Sequence, residues 1–566
     1  MKTNNYSNSN CRYIIYRNYL IKETQMAKFS KKLTTLAVTT ALVASFLIPA
    51  QSMAKEQPTK GFNEIIPTEI MTPGTVETRI GDLKFYDGIP TDETLQKVYD
   101  NLDFIRGVDV FLNFIPATSV EGIRIGMKSV GVDDSNEVLV FDDLMDSTPL
   151  FLTGNTDTVY AAAMLDLERD GATVVEIPAG AGPGTVNDAF FRFVVDMGAP
   201  GPDAKKGGTY IILPPDYKGD LTPTLNGMEH RGTDTRATVM VGGKETKVWV
   251  AQSTSYNNWL ILRGFLKDGK PDHASNMWRT GLKIYPLKDA KNPKEMKFTN
   301  GSGKFFNTVH ANDYKFYEEL WHVLQKEPVS FLEPELRGQA AAIGLQKGKP
   351  FNPDARMKAI LEDAVEVGNA TARSIAFKTR DKSAYLFEGK QWFTGFIGRD
   401  YRWLKDAGEG GRNMDARTLF FYLATVNTPA MALQIPGVGS NYALTTGDQH
   451  GEILYGEKTY QVTLPADAPA KDFWSMVAYD PQTRSELQVP GGSKYPSKNN
   501  KRDDLVYNQD GSVTLYFGPQ LPKGKPAANF TETTPGKAWF AMLRLYGPLQ
   551  PWFDKTWAPS DFTLVK

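Results

Sequence analysis

Cysteine is almost absent from this chain: Cys11 is the only one in 566 residues. A single thiol excludes an internal disulfide and a multi-thiolate metal site, so stability has to come from buried apolar surface. Histidine is scarce as well, with His230, His273, His310, His322 and His450 making up the whole complement. The common catalytic signatures are missing: no G-x-S-x-G elbow, no H-E-x-x-H, no Walker loop and no G-x-G-x-x-G. The glycine clusters at 301–303 and 437–441 read as turns only. These absences remove the ready assignments without excluding an enzyme. There is no charge excess either, with 64 Lys+Arg against 65 Asp+Glu. A chain without a concentrated basic face is a poor partner for nucleic acid, whose phosphates demand one.

Long apolar runs are also lacking, with one exception near the start. Residues 26–54 open with Lys28, Lys31 and Lys32, continue through an apolar run at 33–48, and end on Ser52-Met53-Ala54. Basic start, apolar middle and small residues at the cleavage positions are the pattern of a secretory signal. The run falls short of the roughly 20 residues a membrane span requires. Cleavage is therefore expected after Ala54, leaving no membrane span and a periplasmic or secreted protein. Met26 is a natural start, so residues 1–25 are read as an over-extended beginning and given no role. The first 54 residues hold seven basic side chains and one acidic one, so the remainder carries 57 against 64, a net charge of −7, and no cysteine.

The texture of the rest predicts a mainly β protein: two antiparallel β-sandwich or jelly-roll-like domains with a helical linker. After a polar lead at 55–72, an N-terminal domain spans 73–290. Thr91 is placed to cap a helix with apolar positions Leu95, Val98, Leu102 and Ile105, and the pattern continues to Pro116, with a shorter helix around Val120, Ile123 and Met127. From about Glu137 to Leu287, short segments such as VLVFDDL, ATVVEIP, TYIILPP and KVWVAQS are rich in β-branched and aromatic residues and punctuated by turn formers. A helical linker follows at 291–416. Asn312 or Asp313 is placed to cap a helix over 313–325, and Asn352 with Pro353 to open another. A C-terminal domain spans 417–566, where TYQVTLP, SVTLYFG and KAWFAMLRLYGP read as strands, and Asn508, Asp510 and Gly511 as a hairpin turn.

Candidate functional residues gather in LTGNTDTVYAAAMLDL, at 152–167. Asn155 and Asp157 interrupt an apolar stretch, with Tyr160 close behind. Asp157 has the chemistry of a general base or of a ligand to an oxygen-loving metal; an Asx-type turn leading into a strand is the simpler explanation. Arg263 lies among bulky apolar residues, and a buried arginine needs a carboxylate, so Asp157 or Asp166 can be its structural partner. Glu319 and His322 share a helix face with His310 upstream, but the second copy that a ferritin-like centre needs is absent. Asp448 and His450 fall in a glycine-rich turn. No residue is assigned to a metal, and the cofactor is left open. Tyr479, Arg484, Arg544, Tyr546, Trp552 and Trp557 interleave arginine with aromatic rings, which suits anionic ligands, a sandwich core or a subunit interface.

GNTDTVYAAAMLDL and GTYIILPPDYKG, within 72–287, resemble the family called domain of unknown function 1254. DFWSMVAYDPQTRSELQ, NQDGSVTLYFGP and GKAWFAMLRLYGPLQPWFDKTW, within 443–560, resemble domain of unknown function 1214. The joining segments AAIGLQKGKPFNPDARMKAIL and DARTLFFYLATVNTPAMALQIPGVGSNYA fit the same pairing. Asn529-Phe530 departs from the family's usual Asn-Trp. The resemblance implies two sandwich-like domains in an exported bacterial protein, and it carries over no catalytic residue. The leading expectation is an exported, hydrolase-like enzyme acting on a small polar or anionic compound, with Asp157 as base or ligand, Tyr160 as donor, and Asn155 and Arg263 binding substrate. The other expectation is a non-catalytic envelope protein that binds a ligand or assembles as a homo-oligomer through its C-terminal aromatics.

Overall fold

A computed structural model describes residues 57–225 and 234–565. The expected signal at 26–54 and the stretch at 1–25 lie outside the described residues. The chain divides into two units, one ending at Thr94 and the other running from Leu95. The described part of the first holds a small antiparallel sheet of Thr75–Val76, Leu83–Tyr86 and Ile89–Pro90. At its end the Thr91 hydroxyl accepts from the Thr94 amide at 3.3 Å, the expected helix cap.

The capped helix differs from expectation. Asp92–Ser129 is one helix with Pro116 inside it, not two helices parted by the proline. An interior proline costs about 3 kcal/mol. Phe111, Phe114, Ile115, Val120, Ile123 and Met127 are all buried around it, and each such side chain contributes about 1.5–3 kcal/mol. Burial therefore outweighs the lost hydrogen bond.

Two sheets form the N-terminal sandwich. One has the order Ala237–Val241, Lys244–Gln252, Gly208–Leu213, Thr173–Ile177, Lys283–Pro286; the other Lys297–Asn300, Glu137–Val140, Thr158–Asp166, Asn257–Phe265, Pro183–Asp188, Phe193–Gly198. Val159, Ala161, Ala163, Leu260 and Leu262 on the second sheet meet Val175, Ile177, Tyr210 and Ile212 on the first in one core. The C-terminal sandwich has the same plan. Ser440–Thr445, Ala538–Pro548, Ala470–Tyr479 and Ser497–Asn499 make one sheet; Phe530–Glu532, Val513–Gly518, Tyr460–Leu464 and Thr563–Leu564 make the other. Their core includes Trp474, Met476, Leu543, Leu545, Val462, Leu515 and also Trp552 and Trp557, so these two tryptophans serve the interior. Pairing is mostly antiparallel. Parallel pairs join Lys244–Gln252 to Gly208–Leu213, Lys297–Asn300 to Glu137–Val140, and Val513–Gly518 to Phe530–Glu532.

A third core is shared by both sandwiches and the helices. Alternation sends Tyr160, Ala162, Met164, Trp259 and Ile261 to the face opposite the N-terminal sandwich core, and Leu444, Val477, Tyr479, Phe540 and Met542 to the matching C-terminal face. Helices Lys315–Lys326, Ala355–Phe377 and Met414–Leu423 complete this core. The Ala355–Phe377 helix starts later than expected: Asp354 caps it by accepting from the Met357 amide at 2.8 Å, which puts Pro353 before the cap. The turn at 508–511 forms, but the Val513–Gly518 strand after it pairs with Tyr460–Leu464 and not with the chain just before the turn.

Candidate functional site

The strand register brings together residues that the sequence keeps far apart. In the N-terminal sheet Tyr160 lies directly opposite Arg263. In the C-terminal sheet Tyr442 lies directly opposite Arg544. The Arg263 guanidinium carbon sits 5.6 Å from the Tyr160 ring centre, and that of Arg544 5.3 Å from the Tyr442 ring centre. Each sandwich thus presents one tyrosine–arginine cross-strand pair on the face turned to the shared core.

All four side chains line one cavity of about 50 Å³, with Thr153 and Thr425 as further polar neighbours and an apolar wall that includes Ile261, Phe396, Phe420, Leu444 and Met542. That volume holds a few water molecules, or an anion of a few heavy atoms. Arg263 and Arg544 are 8% and 5% exposed, and neither forms an ion pair among the described residues. Arg544 Nη2 donates to the Thr153 and Gly154 carbonyls at 2.6 and 3.1 Å and to the Tyr479 hydroxyl at 2.7 Å, while its Nε is buried without a partner. A buried cation without an ion-pair partner is costly, so two of them facing one small space make that space favourable for negative charge. Burial pushes the Tyr160 phenol above its ordinary range, so it stays protonated and can donate. Asp196 lies near this edge. Burial raises its carboxyl to about 7, against the lowering effects of hydrogen bonds from Thr428 and Thr185 and of the Arg263 charge.

The predicted residues divide between cavity and seam. Tyr160 and Arg263 line the cavity. Asn155 is one step behind it: its Nδ2 donates to the Tyr160 hydroxyl, and its Oδ1 accepts from the Asp157 and Thr158 amides at 2.9 and 3.1 Å. That is an Asx turn, and it points the phenol. Asp157 is fully buried and outside the cavity lining. Its Oδ2 accepts from Ser475 Oγ at 2.5 Å and from the Tyr546 hydroxyl at 3.2 Å, and its Oδ1 from Asn499 Nδ2 at 2.9 Å. Neither Asp157 nor Asp166 pairs with Arg263; Asp166 instead meets Lys326 at 3.0 Å. The GNTDTVY segment is therefore a seam between the sandwiches. Tyr479 donates to the Gly154 carbonyl at 2.7 Å, and Thr156 and Ser497 share a hydrogen bond of 2.6 Å.

Other candidates settle into structural roles. Asp448 accepts from the His450 and Glu452 amides at 2.9 and 3.1 Å, a turn. Glu319 accepts from the Ala311 amide at 3.2 Å, and burial lifts its carboxyl to about 8. Among the described residues no group of three or more His, Cys, Asp or Glu could hold a metal ion. Tyr442, Thr153 and Asp196 carry no sequence signal of their own. Tyr442 lies in an ordinary strand, and only the register reveals its partner.

Residues 135–286 match the family described as Protein of unknown function (DUF1254), and residues 439–550 match Protein of unknown function (DUF1214). The two matches stand in the order read from the motifs, and each contributes one tyrosine–arginine pair to the cavity. No curated protein matches the chain. A crystal structure of a protein from Vibrio parahaemolyticus is 15% identical with a TM-score of 0.46, covering 81% of this chain and 100% of that one. A putative uncharacterized protein from Burkholderia cenocepacia is 12% identical with a TM-score of 0.36, covering 83% and 96%.

Proposed function

We propose that this chain is an exported protein that binds a small organic anion, a short carboxylate, in the tyrosine–arginine cavity. The observation that carries the reading is the pair of buried guanidiniums, Arg263 and Arg544, which form no ion pair among the described residues and face one 50 Å³ space. A carboxylate would accept from both guanidiniums and from the two phenols, and its short tail would meet Ile261, Phe420 and Met542. Charge-assisted hydrogen bonds in a dry site are the strong kind.

The lining favours binding over hydrolysis. Among the described residues it offers donors but no Asp, Glu or His to activate a water. Asp157 acts here as an orienting group, holding Tyr546 and the seam. Export rests on the tripartite pattern at 26–54. Self-association, expected from the C-terminal aromatics, would need another surface, because Trp552 and Trp557 are buried in the core.

Titration calorimetry with acetate, propionate and butyrate tests the reading, using protein isolated from its own host. The shorter two should bind, and Arg263→Met should weaken them about tenfold or more, the loss of one charged hydrogen bond. Arg263→Lys, which keeps the charge, checks that any loss is not misfolding. Absence of binding by every carboxylate, or indifference to Arg263, would reject the reading. The intact mass of the same sample should begin at Lys55; a chain that retains residues 26–54 would count against export.

A further inference from the structure

A second cleft, unconnected with any of the residues singled out above, has the make-up of a larger anion site. It encloses about 550 Å³, within the range of small-molecule sites. Four arginines line it: Arg192, Arg402, Arg412 and Arg417. Two are balanced, Arg192 by Asp188 at 2.5 Å and Arg402 by Asp400 at 2.9 Å. Arg412 and Arg417 form no ion pair among the described residues. Arg412 donates to the Arg402 carbonyl, and Arg417 Nη2 to Asn113 Oδ1 at 2.5 Å.

Three donors in this wall are buried without a partner: Arg417 Nε, Arg192 Nη2 and Trp403 Nε1. Arg417 and Trp403 are only 7% and 2% exposed. Buried polar groups are nearly always satisfied, so three orphan donors around one cleft mark where acceptors belong. The cations also press on one another. Burial, together with the neighbouring Arg412, lowers Arg417 to about 10, and burial lowers Arg412 against the raising effect of Asp400, with Arg192 and Arg402 adding to the fall. Glu333 and Glu335 are the acidic lining residues, and neither forms an ion pair with Arg412 or Arg417 among the described residues. Phe190, Phe193, Tyr401 and Phe421 supply flat apolar walls, the surfaces on which rings stack.

We propose that this cleft binds an aromatic anion, its ring between the aromatic walls and its carboxylate or similar oxyanion group on Arg412 and Arg417. The site does not depend on the carboxylate cavity. The two are separated by the Met414–Leu423 helix, every residue of which from Ala416 to Leu423 is buried. Arg417 and Phe421, four apart, turn to the cleft, whereas Leu419, Phe420 and Leu423 turn to the cavity.

The test is calorimetric titration of the full chain with isophthalate and, separately, with inorganic phosphate. Isophthalate should bind, and Arg412→Met should weaken it about tenfold or more. Arg417→Lys should weaken it less than Arg417→Met, because the lysine keeps charge but loses the planar fork. Arg263→Met, which strikes the other cavity, should leave isophthalate binding unchanged. Arg412 is exposed, so its variant separates a binding effect from misfolding. The proposal is overturned if isophthalate does not bind, if Arg412→Met leaves it unchanged, or if Arg263→Met abolishes it. Phosphate binding as tightly as isophthalate would also overturn it, since the aromatic walls would then contribute nothing.

Discussion

At the scale of the residue, the protein places charge where it is expensive. Arg263 and Arg544 are buried and form no ion pair among the described residues, and burial raises the carboxyl of Asp196 against the lowering effect of Arg263. The carboxyl of Asp196, raised from 3.8 to about 7, holds its proton in the folded state over a range in which the unfolded chain releases it. Its contribution to stability is therefore complete below the unfolded value and is lost as pH rises through about 7. The same ionisation sets a carboxylate beside Arg263, where it competes with a bound anion. Carboxylate affinity should fall as pH rises past 7, and Asp196→Asn should flatten both the stability profile and the affinity profile. Equilibrium unfolding and calorimetry at pH 5, 6, 7 and 8 would check this. An unchanged affinity profile in the variant would show that Asp196 does not regulate the cavity.

At the scale of the element, much was legible and the exceptions are instructive. Alternation in TYQVTLP and KAWFAMLRLYGP reported real strands, Tyr460–Leu464 and Ala538–Pro548. The Thr91 cap was readable because capping is local chemistry. Pro116 misled, because its cost is local but the burial that offsets it comes from distant elements. The hairpin expected at 508–511 misled for the same reason: the turn is local, the strand partner is not. The Met414–Leu423 helix lies in a segment that the sequence offered only through the family resemblance, yet it forms the wall between the cavity and the cleft. Leu419→Ala in that wall should cost about 2–5 kcal/mol. It should also open the cavity, so that butyrate binds at least as well as propionate. Chemical denaturation and titration of the same variant would test both. A variant that keeps the wild-type preference for the shorter acid would mean that Leu419 does not bound the ligand.

At the scale of the whole molecule, the GNTDTVY segment and the register carry the account. Sequence reasoning picked Asn155, Asp157, Tyr160 and Arg263 as a group because polar residues interrupted apolar runs. The structure sorts them by place: Tyr160 and Arg263 line the cavity, Asn155 holds the Tyr160 hydroxyl, and Asp157 joins the two sandwiches through Ser475, Asn499 and Tyr546. Nothing in the spacing could have separated these roles, because the groups that bind Asp157 lie more than 300 residues away in the chain. Arg544 was visible among the C-terminal aromatics as suited to an anion, but Tyr442 and the shared cavity were not. Each sandwich alone holds one of the two tyrosine–arginine pairs, so the proposed anion site requires both.

The measurement that tests this most directly is a crystal structure of the protein soaked in bromoacetate, which has the size of propionate, with anomalous data collected at the bromine edge. A bromine peak inside the cavity, with the carboxylate between Arg263 and Arg544, is the predicted result. A cavity that stays empty while the compound sits elsewhere, or a carboxylate held by one sandwich's arginine alone, would contradict a site built jointly by the two.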